Sequence, residues 1–181
     1  MLDLEKMFTI ANRDTRSDIN EHLPTLLKYG RSVGHITEFG VRGGCSTLAW
    51  WYAWPVTLRC YDIAPCEAHD FFMSKMGNPD WLDYKFIQAD VLEIEIEETD
   101  LLFIDTYHTY TQLSKELALH GNKSRKYLIF HDTVTFGKRG EDYKKPGLIQ
   151  AINEFFWDNK HWSIKEIFSN NNGLLVLERS S

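Results

Sequence analysis

Apolar positions along this chain switch repeatedly between two periods. In the first 30 residues Ile19, Leu23, Leu26 and Leu27 recur at helical spacing and Gly30 suits a helix C-cap, so the segment reads as helical. From residue 35 onward, short strand-like runs alternate with helical ones. HITEFG (35–40) predicts a strand entering a glycine-rich turn, CSTLAWWYAW (45–54) a helix halted by Pro55, and TLRCYD (57–62) a second strand. AHDFFMSKM (68–76) predicts a short helix and DYKFIQAD (83–90) a third strand. DLLFID (100–105) is an apolar run between acids, as expected of a strand covered on both faces. TYTQLSKELALHG (109–121) then reads as a helix with a Gly stop, KYLIFHD (126–132) as a fifth strand, and GLIQAINEFFWDN (147–159) as an amphipathic helix. HWSIKEIFS (161–169) and NGLLVLERS (172–180) predict two closing strands around an Asn-rich, hairpin-like turn.

Strand–helix alternation closed by a hairpin predicts an α/β fold: a mostly parallel sheet with helices on both faces. No repeat, low-complexity tract or linker divides residues 1–181, so one domain is expected, with 1–30 as an N-terminal helical segment. Ligands of such sheets bind at the carboxyl ends of the strands, where the strand order reverses. Four predicted strand ends carry an acid there, namely Asp62, Asp90, Asp105 and Asp132, and Glu38 lies within the end of the first. Carboxylates gathered on one sheet edge are no requirement of the fold, so they mark a candidate site.

Composition narrows the classes. With 43% apolar and 25% charged residues in 181, the chain is neither disordered, collagen-like nor a disulfide scaffold. Twenty-six acids against 20 bases, a formal charge of −6, argue against a nucleic-acid partner. Cys45, Cys60 and Cys66 form no CxxC pair and read as reduced thiols. MLDLEKMF lacks a signal core and the longest apolar stretch, 48–56, is short of a membrane span, so a cytoplasmic protein without a membrane partner is expected. Trp50, Trp51 and Trp54 are expected to fill core, and their helix leaves room for a homodimer.

The turn Glu38-Phe39-Gly40-Val41-Arg42-Gly43-Gly44-Cys45-Ser46 lets backbone approach a ligand ahead of a helix N-terminus. It is neither the dinucleotide fingerprint nor a P-loop, and Glu38 suits a cationic ligand better than a pyrophosphate. Read alone, it is equally a tight strand-to-helix connection. Asp62 stands where such sheets place a ribose-binding acid, and Asp90 could accept from an adenine amino group. Asp105 and His108, three apart at a strand-to-helix boundary, can both face the crevice, and Asp105 with Asp132 could hold a hard divalent cation such as Mg²⁺. An imidazole beside it can act as a base. The histidines at 22, 35, 69, 120 and 161 lack such company and read as surface or packing residues. The loop 137–146 could be a lid whose Lys and Arg greet an acidic substrate, or a solvated loop.

With Glu-x-Gly-x-x-x-Gly-x-Ser at 38–46, Asp62, and FIDTYHTY at 103–110, residues 33–179 resemble class I S-adenosylmethionine-dependent methyltransferases, closest to the metal-dependent small-molecule O-methyltransferases of catechol and macrolide-sugar type. The resemblance implies a Rossmann-like, seven-stranded sheet of order 3-2-1-4-5-7-6 with an antiparallel C-terminal hairpin. It implies Glu38, Gly40, Gly44 and Ser46 along the methionine part of S-adenosylmethionine, Asp62 and Ile63 at the ribose, Asp90 on the adenine side, and Asp105 beside the methyl donor. Asp105, Asp132 and His131 would be ligands of Mg²⁺ or another divalent cation, and His108 the general base. Where relatives keep Glu-Asp or Asp-Asn, this chain has His131-Asp132-Thr133. The implied reaction is methyl transfer to a hydroxyl of a small molecule. A nicotinamide oxidoreductase, a metal hydrolase built on Asp105, His108, His131 and Asp132, and a non-catalytic cofactor-binding domain are the alternatives.

Overall fold

A computed structural model describes residues 3–76 and 80–180. In chain order the elements are α1 (Leu4–Arg13), α2 (Leu23–Gly30), β1 (His35–Phe39), α3 (Cys45–Ala53), β2 (Thr57–Asp62), α4 (Glu67–Met76), β3 (Asp83–Gln88), β4 (Thr99–Ile104), α5 (Tyr110–His120), β5 (Ser124–His131), α6 (Leu148–Asp158), β6 (Trp162–Phe168) and β7 (Leu174–Arg179). The seven strands form one sheet of order β3-β2-β1-β4-β5-β7-β6, as expected. β1 to β5 pair in parallel, whereas β7 runs antiparallel to both β5 and β6.

The alternation of side chains along each strand feeds two cores. Leu101 and Phe103 of β4 pack with Trp50 of α3 and Leu26 of α2 on one face, while Leu102 and Ile104 pack with Leu117 of α5 and Ile152 of α6 on the other. That two-sided burial is why β4 is apolar almost without interruption. Among the described residues no helix is long and apolar enough to cross a membrane.

Two expectations need correction. The first 30 residues are helical only in pieces: α1 ends at Arg13, and an irregular stretch precedes a short 3₁₀ turn at Asn20–His22 and α2. Asp14 takes an extended backbone and turns its carboxylate onto the amide and guanidinium of Arg16, while Pro24 in the first turn of α2 admits a new helix start. Trp54 is not core either. Trp50 and Trp51 are fully buried, but Trp54 leaves the helix at a left-handed C-cap (φ 64°), is 61% exposed, and stacks on Trp81 at 4.8 Å.

The strand order reverses between β1 and β4. From β1 the chain winds outward through β2 and β3, then returns to β4 on the other side. Between the diverging β1 and β4 connections a crevice opens at the carboxyl ends of the strands.

Candidate active site

The crevice has a volume of about 1170 Å³. Its floor is the β1–α3 turn. Gly40 has φ 84°, and a Cβ there would lie 2.7 Å from the carbonyl carbon of Asp105. Three strand ends are laced together at this point, since Gly40 N after β1 donates to Tyr61 O of β2 and Asp105 N after β4 donates to Phe39 O of β1, both at 2.9 Å. Asp62 holds the turn, its Oδ2 accepting from the amides of Val41 (2.8 Å) and Arg42 (3.0 Å) and its Oδ1 from Ala64 N (2.9 Å). Oδ2 has both acceptor sites taken by these amides, whereas Oδ1 keeps one free. Beside it Ile63 is 71% exposed and lines the cavity, with Asp90 further along, its Oδ1 accepting from Leu92 N in a local turn.

Glu38 and Gly44 do not line the crevice. Gly44 (φ 74°) packs under it, where a Cβ would come within 2.6 Å of the Ala68 Cβ of α4. Glu38 is fully buried in the opposite direction, beneath α3. Its Oε1 accepts from Ser46 Oγ (2.6 Å) and Trp50 Nε1 (3.1 Å), its Oε2 from Thr47 Oγ1 (2.7 Å) and Cys60 Sγ (3.1 Å). Ser46 touches the crevice but directs its hydroxyl to Glu38. Burial pushes the Glu38 carboxyl up to about 7 against these hydrogen bonds. As pH rises from 4.5 toward 7 the unfolded chain releases this proton before the folded one does, so the group costs stability progressively. In Glu38→Gln the carbonyl can face Trp50 while Thr47 and Cys60 turn to accept from the amide. Urea unfolding is expected to show a loss of about 1–2 kcal/mol at pH 5 that narrows by pH 8.

At the other end of the crevice, β4 and β5 deliver a tight cluster. His108 Nε2 lies 3.1 Å from Asp105 Oδ1 and 2.9 Å from Asp132 Oδ2, and His131 Nδ1 lies 3.3 Å from each of the same oxygens. Burial works against charge on the imidazoles, but the two carboxylates outweigh it and push both histidines up to about 10. Reciprocally, against burial, the histidines hold Asp105 and Asp132 below the usual carboxylate range. His131 is sealed, its side chain 1% exposed, whereas the His108 side chain is 18% exposed and lines the crevice. His108 lies flat on Phe136 (4.8 Å, 5°) and its Nδ1 meets Glu141 Oε2 at 2.9 Å. Donor atoms of Asp105, His131 and Asp132 lie within 4.8 Å of one another, and buried Asp132 Oδ1 has no partner among the described residues. A donor set of this size with spare acceptor capacity fits a divalent cation.

Several site residues were not read from the sequence. Residues 14–19 wall the crevice opposite β1, held by the Arg42–Asp18 ion pair (3.0 Å) and by Asn171 donating to Ser17 O (3.4 Å). The 137–146 loop contributes an acid, not its bases: Glu141 N donates to His108 O (2.8 Å) while Lys144 turns to Asp142. His22 is corrected to a site neighbour, its ring edge-on to His131 at 5.7 Å. Glu116 of α5 accepts from Thr106 (2.7 Å) and Gln112 (2.8 Å), securing the turn that carries His108, and burial pushes it up to about 7. The available signal was the position of Glu116 between Leu113 and Leu117, on the buried face of α5.

No family model and no curated protein matches this sequence. Solved structures do match in fold. The N-methyltransferase NodS of Bradyrhizobium japonicum WM9 superposes with a TM-score of 0.65 at 16% identity, covering 93% of this chain and 99% of that one. The SAH-bound methyltransferase PaMTH1 of Podospora anserina gives 0.66 at 15% identity, with 100% and 89% covered. An O-methyltransferase of Bacillus cereus in complex with SAH gives 0.65 at 15% identity, with 98% and 89% covered. The chain has the fold of class I S-adenosylmethionine-dependent methyltransferases.

Proposed function

We propose that this protein is a cytoplasmic enzyme that transfers a methyl group from S-adenosylmethionine to a hydroxyl of a small molecule, with a divalent cation at Asp105, His131 and Asp132. The observation that carries the reading is one crevice, at the point where strand order reverses, lined at one end by Gly40 and Asp62 and at the other by the Asp105–His108–Asp132 cluster. Asp62 offers an acceptor for a ribose hydroxyl, exposed Ile63 an apolar face for the base, and Asp90 an acceptor for its amino group. On the rim Asp14 and Asp18 are paired with Arg16 and Arg42, so the acids that favour the positive sulfonium are Asp62 and Asp90.

His108 is the base in this scheme because it alone of the two clustered histidines opens to the crevice. A bound cation would lower the pKa of an acceptor hydroxyl. A cation held by Asp105, His131 and Asp132 would draw on the two carboxylates that keep His108 protonated, which would leave its imidazole able to accept a proton. The acceptor O–H bond then yields its proton to His108, the oxygen bonds to the methyl carbon, and the methyl–sulfur electron pair stays on sulfur, leaving S-adenosylhomocysteine. Glu141 at Nδ1 steadies the imidazolium formed, and Phe136 fixes the plane of the ring. The remainder of the rate comes from holding nucleophile, methyl and sulfur in line.

Calorimetric titration with S-adenosylmethionine and S-adenosylhomocysteine tests the reading. Micromolar binding is expected, weakened at least about tenfold in Asp62→Ala and changed less than about threefold in His108→Ala. A folded sample that binds neither compound overturns the methyl-transfer reading and favours the hydrolase. A collapse of cofactor affinity in His108→Ala would remove the base assignment.

A further inference from the structure

We propose that the cation taken up by this cluster is a borderline transition-metal ion of the Mn²⁺–Zn²⁺ series, bound in part through His131 Nδ1, in preference to Mg²⁺. The inference rests on the proposed function only for the presence of a cation at this end of the crevice.

The argument starts from the far side of the His131 ring. Its Nε2 faces the backbone carbonyl of Asn171 at 3.2 Å. A carbonyl oxygen only accepts, so Nε2 carries a hydrogen there. His22 shares the arrangement, its Nε2 being 3.0 Å from Asn170 O and 3.1 Å from Asn171 O, so the β6–β7 turn sets the orientation of both rings. With His22 edge-on at 5.7 Å and only 2% of the residue exposed, His131 has no room to swing away.

The nitrogen that is left, Nδ1, points between Asp105 Oδ1 and Asp132 Oδ2, 3.3 Å from each. Without a cation a proton on Nδ1 bridges it to the two carboxylates, and a cation bound by all three groups would displace that proton and take its place. A metal ligand whose other ring nitrogen donates to a carbonyl is the arrangement that orients imidazole ligands. The second, independent sign is Asp132 Oδ1, buried in a residue 3% exposed and without a partner among the described residues. Asp132 itself is held at φ 58°, outside the strand, which turns its carboxylate back toward β4.

One imidazole nitrogen with two carboxylates is a mixed nitrogen–oxygen set. Imidazole suits Zn²⁺, Fe²⁺, Co²⁺ and Ni²⁺, whereas Mg²⁺ takes near-octahedral oxygen ligands and keeps its waters. A sealed nitrogen donor on one side leaves Mg²⁺ little to gain.

The test uses the full chain stripped of metal with a chelator and titrated separately with ZnCl₂, MnCl₂ and MgCl₂. Because Zn²⁺ outbinds Mg²⁺ at most sites, the diagnostic quantity is the change in that ratio on His131→Asp. Wild type is expected to favour Zn²⁺ over Mg²⁺ by at least about a thousandfold, and the variant to narrow the ratio at least about tenfold. A ratio within tenfold in wild type, or one unmoved by the substitution, overturns the proposal. If the buried aspartate prevents folding, Co²⁺-loaded wild type decides by proton NMR. A hyperfine-shifted, slowly exchanging imidazole N–H is expected from Nε2 held on Asn171, and its absence overturns the proposal, as does failure to take up Co²⁺. S-adenosylhomocysteine binding to the stripped protein separates the two ideas. Cofactor binding without cation uptake defeats this inference alone, while cation uptake through His131 without cofactor binding defeats the methyl-transfer reading alone.

Discussion

Gly40→Ala is expected to lower stability by about 3 kcal/mol or more and to abolish measurable binding of S-adenosylhomocysteine. Two costs add. A left-handed φ of 84° is disfavoured by about 1–2 kcal/mol for a residue with a Cβ. The new Cβ would also collide with the carbonyl group of Asp105, which is backbone and cannot rotate aside. Relief requires β1 and β4 to separate at their ends, breaking the bond from Asp105 N to Phe39 O. The same displacement would carry Asp105 away from His108 and Asp132, so cofactor crevice and cation cluster fail together. For a chain of 181 residues a loss of about 3 kcal/mol corresponds to a fall in Tm of roughly 6–12 °C. Thermal unfolding and calorimetry on one preparation measure both. An alanine variant with unchanged Tm and affinity would mean that β1 and β4 do not approach as described.

Asp132→Asn is expected to cost about 3–5 kcal/mol in cation-free protein near pH 6 and to weaken cation uptake at least about a hundredfold. Asparagine accepts the left-handed backbone at this position, so the substitution removes charge and little else. The inner nitrogens of two imidazolium rings would then share Asp105 alone, with Glu141 reaching only the outer nitrogen of His108. The sign of the pH dependence follows from the shifts. In wild type the histidines have folded values raised from 6.5 to about 10, so their stabilising effect is complete below pH 6.5 and is lost as pH climbs toward 10. Asp105 and Asp132 are lowered, so their effect is present above 3.8 and is lost on acidification. The cluster's contribution in cation-free wild type should therefore be greatest between about pH 4 and 6.5, and the cost of Asp132→Asn should shrink steadily above that window. Denaturant unfolding at pH 6, 8 and 9.5 measures it. A cost that stays constant across that range would show that the cluster does not titrate as a charged unit.

The periodicity of apolar positions placed most elements, because strand and helix spacing is written into contiguous residues. It failed between residues 14 and 22, where Asp14 and Ser17 trade helical bonds for side-chain ones while Ile19 keeps an apolar position in step with the helix that follows. It failed at Trp54, whose exit from α3 depends on a single left-handed residue. Glu38 shows how far a motif can mislead about direction. An acid before a glycine turn was expected beside the cofactor, yet strand alternation sends it beneath α3, onto the hydroxyls of Ser46 and Thr47 that begin the same helix. The departure His131-Asp132 was visible as a departure, but only the Asn171 carbonyl, 40 residues away, shows which nitrogen faces the carboxylates.

What the sequence determined by itself is local: which segments are strands, and that Asp62, Asp90, Asp105 and Asp132 stand at or just beyond their carboxyl ends. What only the tertiary structure decided is which of these groups share a site. Asp105 meets Asp132, His108 meets Glu141, and residues 14–19 close the wall because strand order and register bring distant segments within hydrogen-bonding distance. Those encounters depend on packing of the whole sheet, and no period along the chain records them.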